Sequence, residues 1–246
     1  MRNFVYYFVQ IAGLSLHFSI AEPIRGENVV AVEEGEFPFV VALITNTNCD
    51  IICTGVLISE RHVLTAAHCF EELQPNNTQV VLGSVDLTIG TRYNVGKWIT
   101  YDEWAEIEGV PQSYDSTDIA IIKLCENVDN KVAKPAELSE KTRSEICLQN
   151  VTVLGWGQTN PDSNDRPRYL QKASLTVLTS ERCEQIVSGL MNETITLDDS
   201  LFCTKHEPSS KLVCGDSGCP ILTEKRKVVG IHIGICPKKS ICFRIR

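Results

Sequence analysis

No block of basic residues stands out in the sequence. Its 23 lysines and arginines are outnumbered by 31 acidic residues, and the formal net charge is −8. Nucleic acids and anionic membrane surfaces are bound through clustered lysine and arginine, so neither is expected as a partner. We interpret the acidic balance as a contribution to solubility.

Two other patterns are missing. No Cys-x-x-Cys pair occurs, which argues against a zinc site. No internal repeat or low-complexity segment is present. With 246 residues, of which 43% are hydrophobic, the chain can form one large globular domain or two small ones.

Residues 1–21 are predicted to be a secretory signal peptide. Arg2 supplies the positive end, residues 4–20 are mostly apolar, and Ser19-Ile20-Ala21 has small residues at both positions that signal peptidase reads. A membrane anchor is the alternative, but the run is short for a span and contains Gln10 and His17. We therefore predict a secreted, extracellular protein.

Eleven cysteines agree with export, because chains in a reducing cytosol seldom carry so many without metal-type spacing. The number is odd, so at least one thiol is free or pairs with another chain. Asn-x-Thr triplets at Asn76, Asn150 and Asn192 predict glycosylation after export.

The pattern of short apolar runs separated by polar or glycine-bearing loops predicts an antiparallel β-sandwich or barrel. The predicted strands cover 39–44, 51–58, 79–82, 118–124, 151–156, 170–177, 201–203 and 228–233. One helix is expected from Ser180 to Leu190, with Thr179 or Ser180 as its N-cap. Apolar density falls between residues 127 and 137, which divides the mature chain into nearly equal halves.

Three short stretches contain residues suited to nucleophilic catalysis. The first is Gly215-Asp216-Ser217-Gly218, where flanking glycines can hold a hydroxyl on a bent backbone beside outward-pointing N–H groups. Taken alone, this composition also fits a surface turn. His68 lies in the small-residue run 64–69, and Asp118 opens an apolar strand where an unpartnered carboxylate would be costly. The partner of Asp118 is either a backbone N–H or lysine, or His68.

Four segments, namely 64–69, 118–124, Gly155-Trp156-Gly157 and 215–218, occur in the order of the trypsin-like (chymotrypsin-family) serine proteases. The chain resembles that family from Gly26 to its last residue. The resemblance implies an all-β fold of two packed antiparallel six-stranded β-barrels with the active site between them. It also implies a short propeptide at 22–25 and a peptidase domain at 26–246, divided into barrels at 26–127 and 128–246.

The resemblance assigns the catalytic triad to His68, Asp118 and Ser217, and the oxyanion hole to the N–H groups of Gly215 and Ser217. Asp216 is the residue that would pair with a new N-terminus after zymogen cleavage. Cleavage after Arg25 would create that terminus at Gly26, whereas cleavage before Ile24 would leave a longer one; either terminus departs from the family pattern.

Other departures concern specificity and the end of the chain. The base of the specificity pocket corresponds to Lys211 or Leu212, neither of which is the aspartate of trypsins, and Ile233 and Gly234 line the expected cleft. Tryptic specificity is therefore not expected. Residues 240–246 match the family's last strand, and we do not expect the family's closing helix in this fold.

The family pattern pairs Cys53 with Cys69, Cys183 with Cys203 and Cys214 with Cys236. Five cysteines have no assigned partner: Cys49, Cys125, Cys147, Cys219 and Cys242. Cys219 stands where the family has a glycine. Of the remaining histidines, His62 and His206 are predicted at the surface, and His232 is assigned a structural role, with substrate contact as the alternative.

The sequence therefore predicts a secreted serine endopeptidase of non-tryptic specificity that acts as a monomer on polypeptides, without metal or cofactor, and that protein protease inhibitors would recognise. The alternative is an inactive homologue that acts as a secreted binding protein.

Overall fold

The computed structural model describes residues 29–46, 51–71, 73–110, 118–156, 168–205, 216–236 and 239–243. These ranges contain strands β1 (Val29–Ala31), β2 (Val40–Thr45), β3 (Ile51–Ser59), β4 (His62–Thr65), β5 (Thr78–Leu82), β6 (Thr91–Thr100), β7 (Ala120–Leu124), β8 (Asn150–Gly155), β9 (Gln171–Val177), β10 (Leu201–Lys205), β11 (Pro220–Leu222), β12 (Val228–Cys236) and β13 (Lys239–Phe243). The α-helices in the same ranges are α1 (Tyr101–Glu108), α2 (Arg143–Ile146) and α3 (Ser180–Met191).

The first half of the chain forms a closed antiparallel barrel with the strand order β2-β3-β4-β7-β6-β5. Its interior is apolar and includes Val41, Leu57 and Ile122, all fully buried. Along β7 the buried residues alternate with exposed ones such as Ile121 and Lys123. This period of two is the one expected for a strand with one face in a core.

The second half forms a sheet with the order β1-β9-β10-β13-β12-β11-β8, and β8 also pairs with β9. That additional pairing joins the six strands β8 to β13 into a continuous antiparallel ring, to which β1 adds at β9. Its core contains Val153, Phe202 and Ile221. The predicted all-β fold of two six-stranded barrels is therefore confirmed.

The two barrels pack against each other through a buried apolar cluster, which we call the apolar joint. Val56 and Leu64 from the first barrel belong to the same buried cluster as Leu154, Leu222 and Ile231 from the second. Burial of this apolar surface is the main force that holds the barrels together.

A polar contact reinforces the joint at its edge. The Arg168 Nε lies 2.9 and 2.8 Å from the two carboxylate oxygens of Asp86. These hydrogen bonds, together with those from Thr88, outweigh partial burial and hold the pKa of Asp86 well below its usual range. Next to this pair, the Leu170 N–H donates to the Val85 carbonyl at 2.9 Å.

The helices agree only partly with the sequence prediction. The predicted helix at 180–190 is present as α3, and the Arg182 N–H donates to the Thr179 hydroxyl at its N-cap. Helices α1 and α2 were not predicted. Each begins with a capping box, in which Thr100 pairs with Glu103 and Thr142 with Glu145.

Within the ranges given above, none of the helices has the length and apolar character needed to cross a membrane.

Candidate active site

The backbone around His68 is fixed by its neighbours in sequence. Strand β4 ends at Thr65, and a short 3-10 helix, Ala67–Phe70, carries His68. The disulfide between Cys53 and Cys69 ties this turn to β3. Both sulfurs are used in that bond, so the cluster of Cys53, His68 and Cys69 does not fit a metal ion.

Asp118 lies just before β7 and binds His68 through both of its carboxylate oxygens. The His68 backbone N–H donates to Oδ1 at 2.8 Å, and the ring Nδ1 lies 2.7 Å from Oδ2. An ionised carboxylate can only accept, so Nδ1 carries the proton in this contact. The arrangement leaves Nε2 as the ring nitrogen able to accept a proton.

The same pair sets the protonation of the imidazole. Burial disfavours the charged ring, but the charge and the hydrogen bond of Asp118, with a smaller contribution from Glu71, raise the pKa of His68 above its ordinary value of 6.5. His68 is therefore easier to protonate than a free histidine.

Ser217 lies on the loop before β11, and this loop contacts the first barrel directly. The Thr54 N–H on β3 donates to the Ser217 carbonyl at 2.8 Å. Gly218 has φ +79°, and a Cβ atom there would overlap the Thr54 carbonyl and the Thr65 hydroxyl. Only glycine fits this position without strain, because both the backbone angle and the close approach exclude a side chain. The loop is thus packed against the strands that lead to His68.

The second barrel holds the same loop from the other side. The Gly218 N–H donates to the His232 carbonyl at 2.6 Å, and the His232 N–H donates to the Cys219 carbonyl at 2.9 Å. Both His232 and Cys219 are buried. The burial of His232 agrees with the structural role assigned to it, whereas His62, predicted at the surface, is half-buried with Nδ1 2.7 Å from the Ser59 hydroxyl.

Asp216 is fully buried beneath this loop. Its carboxylate lies against the backbone of Gly155, where an added Cβ would overlap Oδ1. The glycine at the end of β8 therefore makes room for the Asp216 carboxylate, a function that the Gly-Trp-Gly pattern alone did not specify.

The structure thus brings His68 and Asp118 into direct contact and packs the Ser217 loop beside them. Within the described part of the chain, no hydrogen bond joins the Ser217 hydroxyl to His68. Ile233 and Gly234 lie on β12, which carries His232. Lys211, Leu212, Cys214 and Gly215 lie outside the described residues, as do residues 1–28, with the predicted signal peptide and propeptide, and His206.

Of the predicted disulfides, Cys53–Cys69 and Cys183–Cys203 are present, whereas Cys214–Cys236 involves a residue outside the described ranges. Among the cysteines that the structure describes, Cys125 and Cys147 form no disulfide. Cys125 is exposed and Cys147 half-buried.

Two residues that sequence reasoning missed are Thr54 and Thr65. They hold the Ser217 loop through a backbone N–H and a close packing contact, and the Thr65 hydroxyl also donates to the Thr54 carbonyl at 2.8 Å. No local pattern could have identified them, because their role arises from the approach of a segment more than 150 residues away.

Two β-barrels with a histidine–aspartate pair beside a serine loop define the class of serine-type endopeptidases. Comparison with known proteins agrees with this. The family model described as Trypsin matches residues 28–242. The chain therefore belongs to the trypsin family of serine proteases.

Two curated relatives found by sequence comparison are also named serine proteases. The chain is 32% identical to the venom serine protease of Polistes dominula over 207 residues, which cover 81% of this chain and 70% of that protein. It is 29% identical to serine protease 41 of Homo sapiens over 180 residues, which cover 70% of this chain and 56% of the human protein.

Solved structures share the fold at lower identity. Neuropsin, a serine protease of mouse brain, has a TM-score of 0.68 at 23% identity, covering 87% of this chain and 92% of neuropsin. The scabies mite inactivated protease paralogue S-D1 has a TM-score of 0.70 at 22% identity, covering 88% of this chain and 91% of that one.

Proposed function

We propose that this protein is an active secreted endopeptidase that cleaves peptide bonds with a triad of His68, Asp118 and Ser217. The observation that carries the proposal is the double hydrogen bond from His68 to Asp118, made by the backbone N–H and by the ring Nδ1. A purely structural aspartate would not need to orient an imidazole beside a serine loop.

In the proposed mechanism, Ser217 Oγ attacks the scissile carbonyl while His68 Nε2 takes its proton. His68 then returns that proton to the leaving amine, and water hydrolyses the acyl-enzyme by the same route. Asp118 keeps Nδ1 protonated and stabilises the imidazolium. The hydrogen bond between Ser217 and His68 forms when substrate binds, since such bonds are often long in unliganded enzymes.

The oxyanion of the tetrahedral intermediate would be held by the N–H groups of Gly215 and Ser217. Each such donor contributes about 10² to 10³ in rate in other proteases. Asp216 is proposed as the partner of the N-terminus created by zymogen cleavage. The complete burial of Asp216 beneath the nucleophile loop, with its carboxylate against Gly155, supports this role.

For specificity, we propose that Lys211 or Leu212 forms the base of the pocket and that Ile233 and Gly234 contact the substrate backbone. Leu212 would favour an apolar side chain, and Lys211 an acidic one. Ile233 is half-buried and packs against apolar clusters of both barrels, which supports a position at the cleft.

The remaining proposals concern the mature protein. Secretion follows from the signal-like residues 1–21, and glycosylation at Asn76, Asn150 and Asn192 is supported by the exposure of all three side chains. We also propose the barrel boundary after residue 127, action as a monomer, and recognition by protein protease inhibitors. The boundary is supported by the gap between β7, which ends at Leu124, and β8, which begins at Asn150.

The second candidate is an inactive homologue that binds proteins without cutting them. The unusual residue Cys219 beneath the nucleophile loop favours it, and the fold is compatible with inactivity, since a structural neighbour is described as an inactivated protease paralogue.

A fluorophosphonate probe distinguishes the two candidates. The processed secreted protein should be labelled on Ser217 with one probe per chain, because only a serine activated by His68 reacts readily. Labelling carried out at low pH, where His68 is protonated, should be slower than labelling at neutral pH. Folded protein that stays unlabelled after its N-terminus has been verified would instead support the inactive homologue.

The pH dependence of activity follows from the His68–Asp118 pair. His68 must be neutral to accept a proton, so kcat/KM should rise with pH through an apparent pKa above 6.5. Because Asp118 raises that pKa, removal of its charge should move the rise to lower pH. A pH–rate profile measured on a peptide library checks this. A profile that stays flat across neutral pH would contradict the role of His68.

A further inference from the structure

A groove of about 290 Å³ lies on a face that the proposed mechanism does not use. We call it the cationic groove and define it by Lys134, Lys225, Arg226 and Lys227 together with Phe39 and Pro135. The three basic residues 225–227 lie in the turn between β11 and β12, directly before β12 begins at Val228. Strand β11 runs from Pro220 away from Ser217, so this turn is at the opposite end of β11 from the nucleophile loop.

The charge of the groove is opposite to that of the chain. Four basic side chains line it, and Glu137 is the acidic residue in its wall. Glu137 forms an ion pair with Lys227, whose Nζ lies 2.8 Å from its Oε2. This pair adds no net charge, so the positive excess of the lining comes from Lys134, Lys225 and Arg226. Lys134 and Lys225 are exposed. The groove is therefore locally positive on a protein whose formal net charge is −8, which favours anionic ligands at this place.

Arg226 is held in an unusual conformation. Its φ is +60°, in the left-handed region that favours glycine at this kind of turn. Its guanidinium lies 5.0 Å from the ring centroid of Phe37 and 3.5 Å from the Glu36 carboxylate, while 59% of the side chain stays exposed. These contacts hold a largely exposed guanidinium beside the groove that Arg226 lines.

The apolar part of the groove selects among anionic ligands. Phe39 and Pro135 are half-buried and supply apolar surface to the groove, which we call its floor. A sulfated polysaccharide would contact the cations but leave this floor unused. An acidic peptide can place carboxylates on the cations and an apolar side chain on the floor.

We propose that the cationic groove binds an acidic segment of a partner polypeptide, with one apolar side chain of that segment seated between Phe39 and Pro135. The site is separate from Ser217, so the bound segment would leave the proposed catalytic cleft open. The proposal does not depend on the proposed catalytic activity.

The test uses the full secreted protein and a fluorescein-labelled peptide of sequence Glu-Glu-Phe-Glu-Glu. Fluorescence anisotropy should show saturable binding that weakens as salt is raised. The double variant Lys134→Glu/Lys225→Glu should bind at least about tenfold more weakly, because two attractive charges become repulsive. Lys134→Arg/Lys225→Arg should keep the affinity. A peptide with serine in place of phenylalanine should also bind more weakly.

The matched control is Lys97→Glu/Lys123→Glu, which makes the same change in net charge on exposed neighbouring residues of β6 and β7. It should leave peptide binding nearly unchanged, and circular dichroism should verify that all variants are folded. Equal loss in both charge-reversal variants would overturn the proposal. So would equal binding of the serine peptide, or a heparin oligosaccharide that binds the groove while the peptide does not.

Discussion

Replacement of Ser217 by alanine should lower kcat by about 10⁶, as it does in other enzymes whose triad acts as a unit. In the proposed mechanism the Ser217 hydroxyl forms the acyl-enzyme. The alanine variant therefore has no nucleophile for His68 to activate. Turnover of a mixed peptide library by purified, processed protein measures the effect. The overall fold should not change, because Ser217 is held through its backbone carbonyl by Thr54.

The control for this experiment is Ser144→Ala, an exposed serine in α2 that lies in the second half of the chain. It should retain full turnover. If the Ser217→Ala protein cleaves the library as fast as the unchanged protein, the proposed peptidase mechanism is wrong, whatever the fold.

Asp118→Asn should lower kcat about 10⁴-fold at neutral pH, with little change in the fold of the protein. An amide can donate to Nδ1, which would favour the tautomer with the proton on Nε2. That tautomer cannot take the proton of Ser217. The pH–rate profile should shift at the same time, because the negative charge that raises the pKa of His68 is gone. The loss in kcat and the shift of the pH–rate profile are both obtained from the same set of kinetic measurements.

A matched substitution is Asp199→Asn, which removes an exposed carboxylate that lies 2.9 Å from Arg143. Its effect on turnover should be small, since surface ion pairs contribute little to stability and this one is not part of the proposed active site. A loss in the Asp118→Asn variant no greater than in Asp199→Asn would show that Asp118 only supports the backbone of His68 through its Oδ1 contact.

Much of the fold could be predicted because strand periodicity is local. The apolar runs at 39–44 and 51–58 correspond to β2 and β3 within one or two residues. Strand β6 was missed because only two of its ten residues are buried, so it presents no continuous apolar run. Strand β1 has only three residues and is defined by its pairing with β9.

Helices α1 and α2 were missed although their signals were present. Thr100 with Glu103 and Thr142 with Glu145 both match the capping-box pattern, in which each residue's side chain bonds the other's backbone N–H. The apolar residues that follow are few, and without an apolar stripe the pattern was not read as a helix. Capping chemistry was more informative here than hydrophobic periodicity.

At the candidate site, sequence motifs identified the reactive residue types but not what positions them. The contact between His68 and Asp118 follows from the pairing of β4 with β7, which no local pattern encodes. The packing of Gly218 against Thr65 likewise depends on how the two barrels meet.

The hydrogen bond from Thr54 to the Ser217 carbonyl links a strand of the first barrel to a loop whose chain neighbours belong to the second. The proposed reaction centre is therefore divided between two halves of the chain that fold around different cores. A substitution deep in the apolar joint, remote from every reacting atom, could let the halves drift slightly apart. Such a protein would look intact by spectroscopy and yet be a poor enzyme.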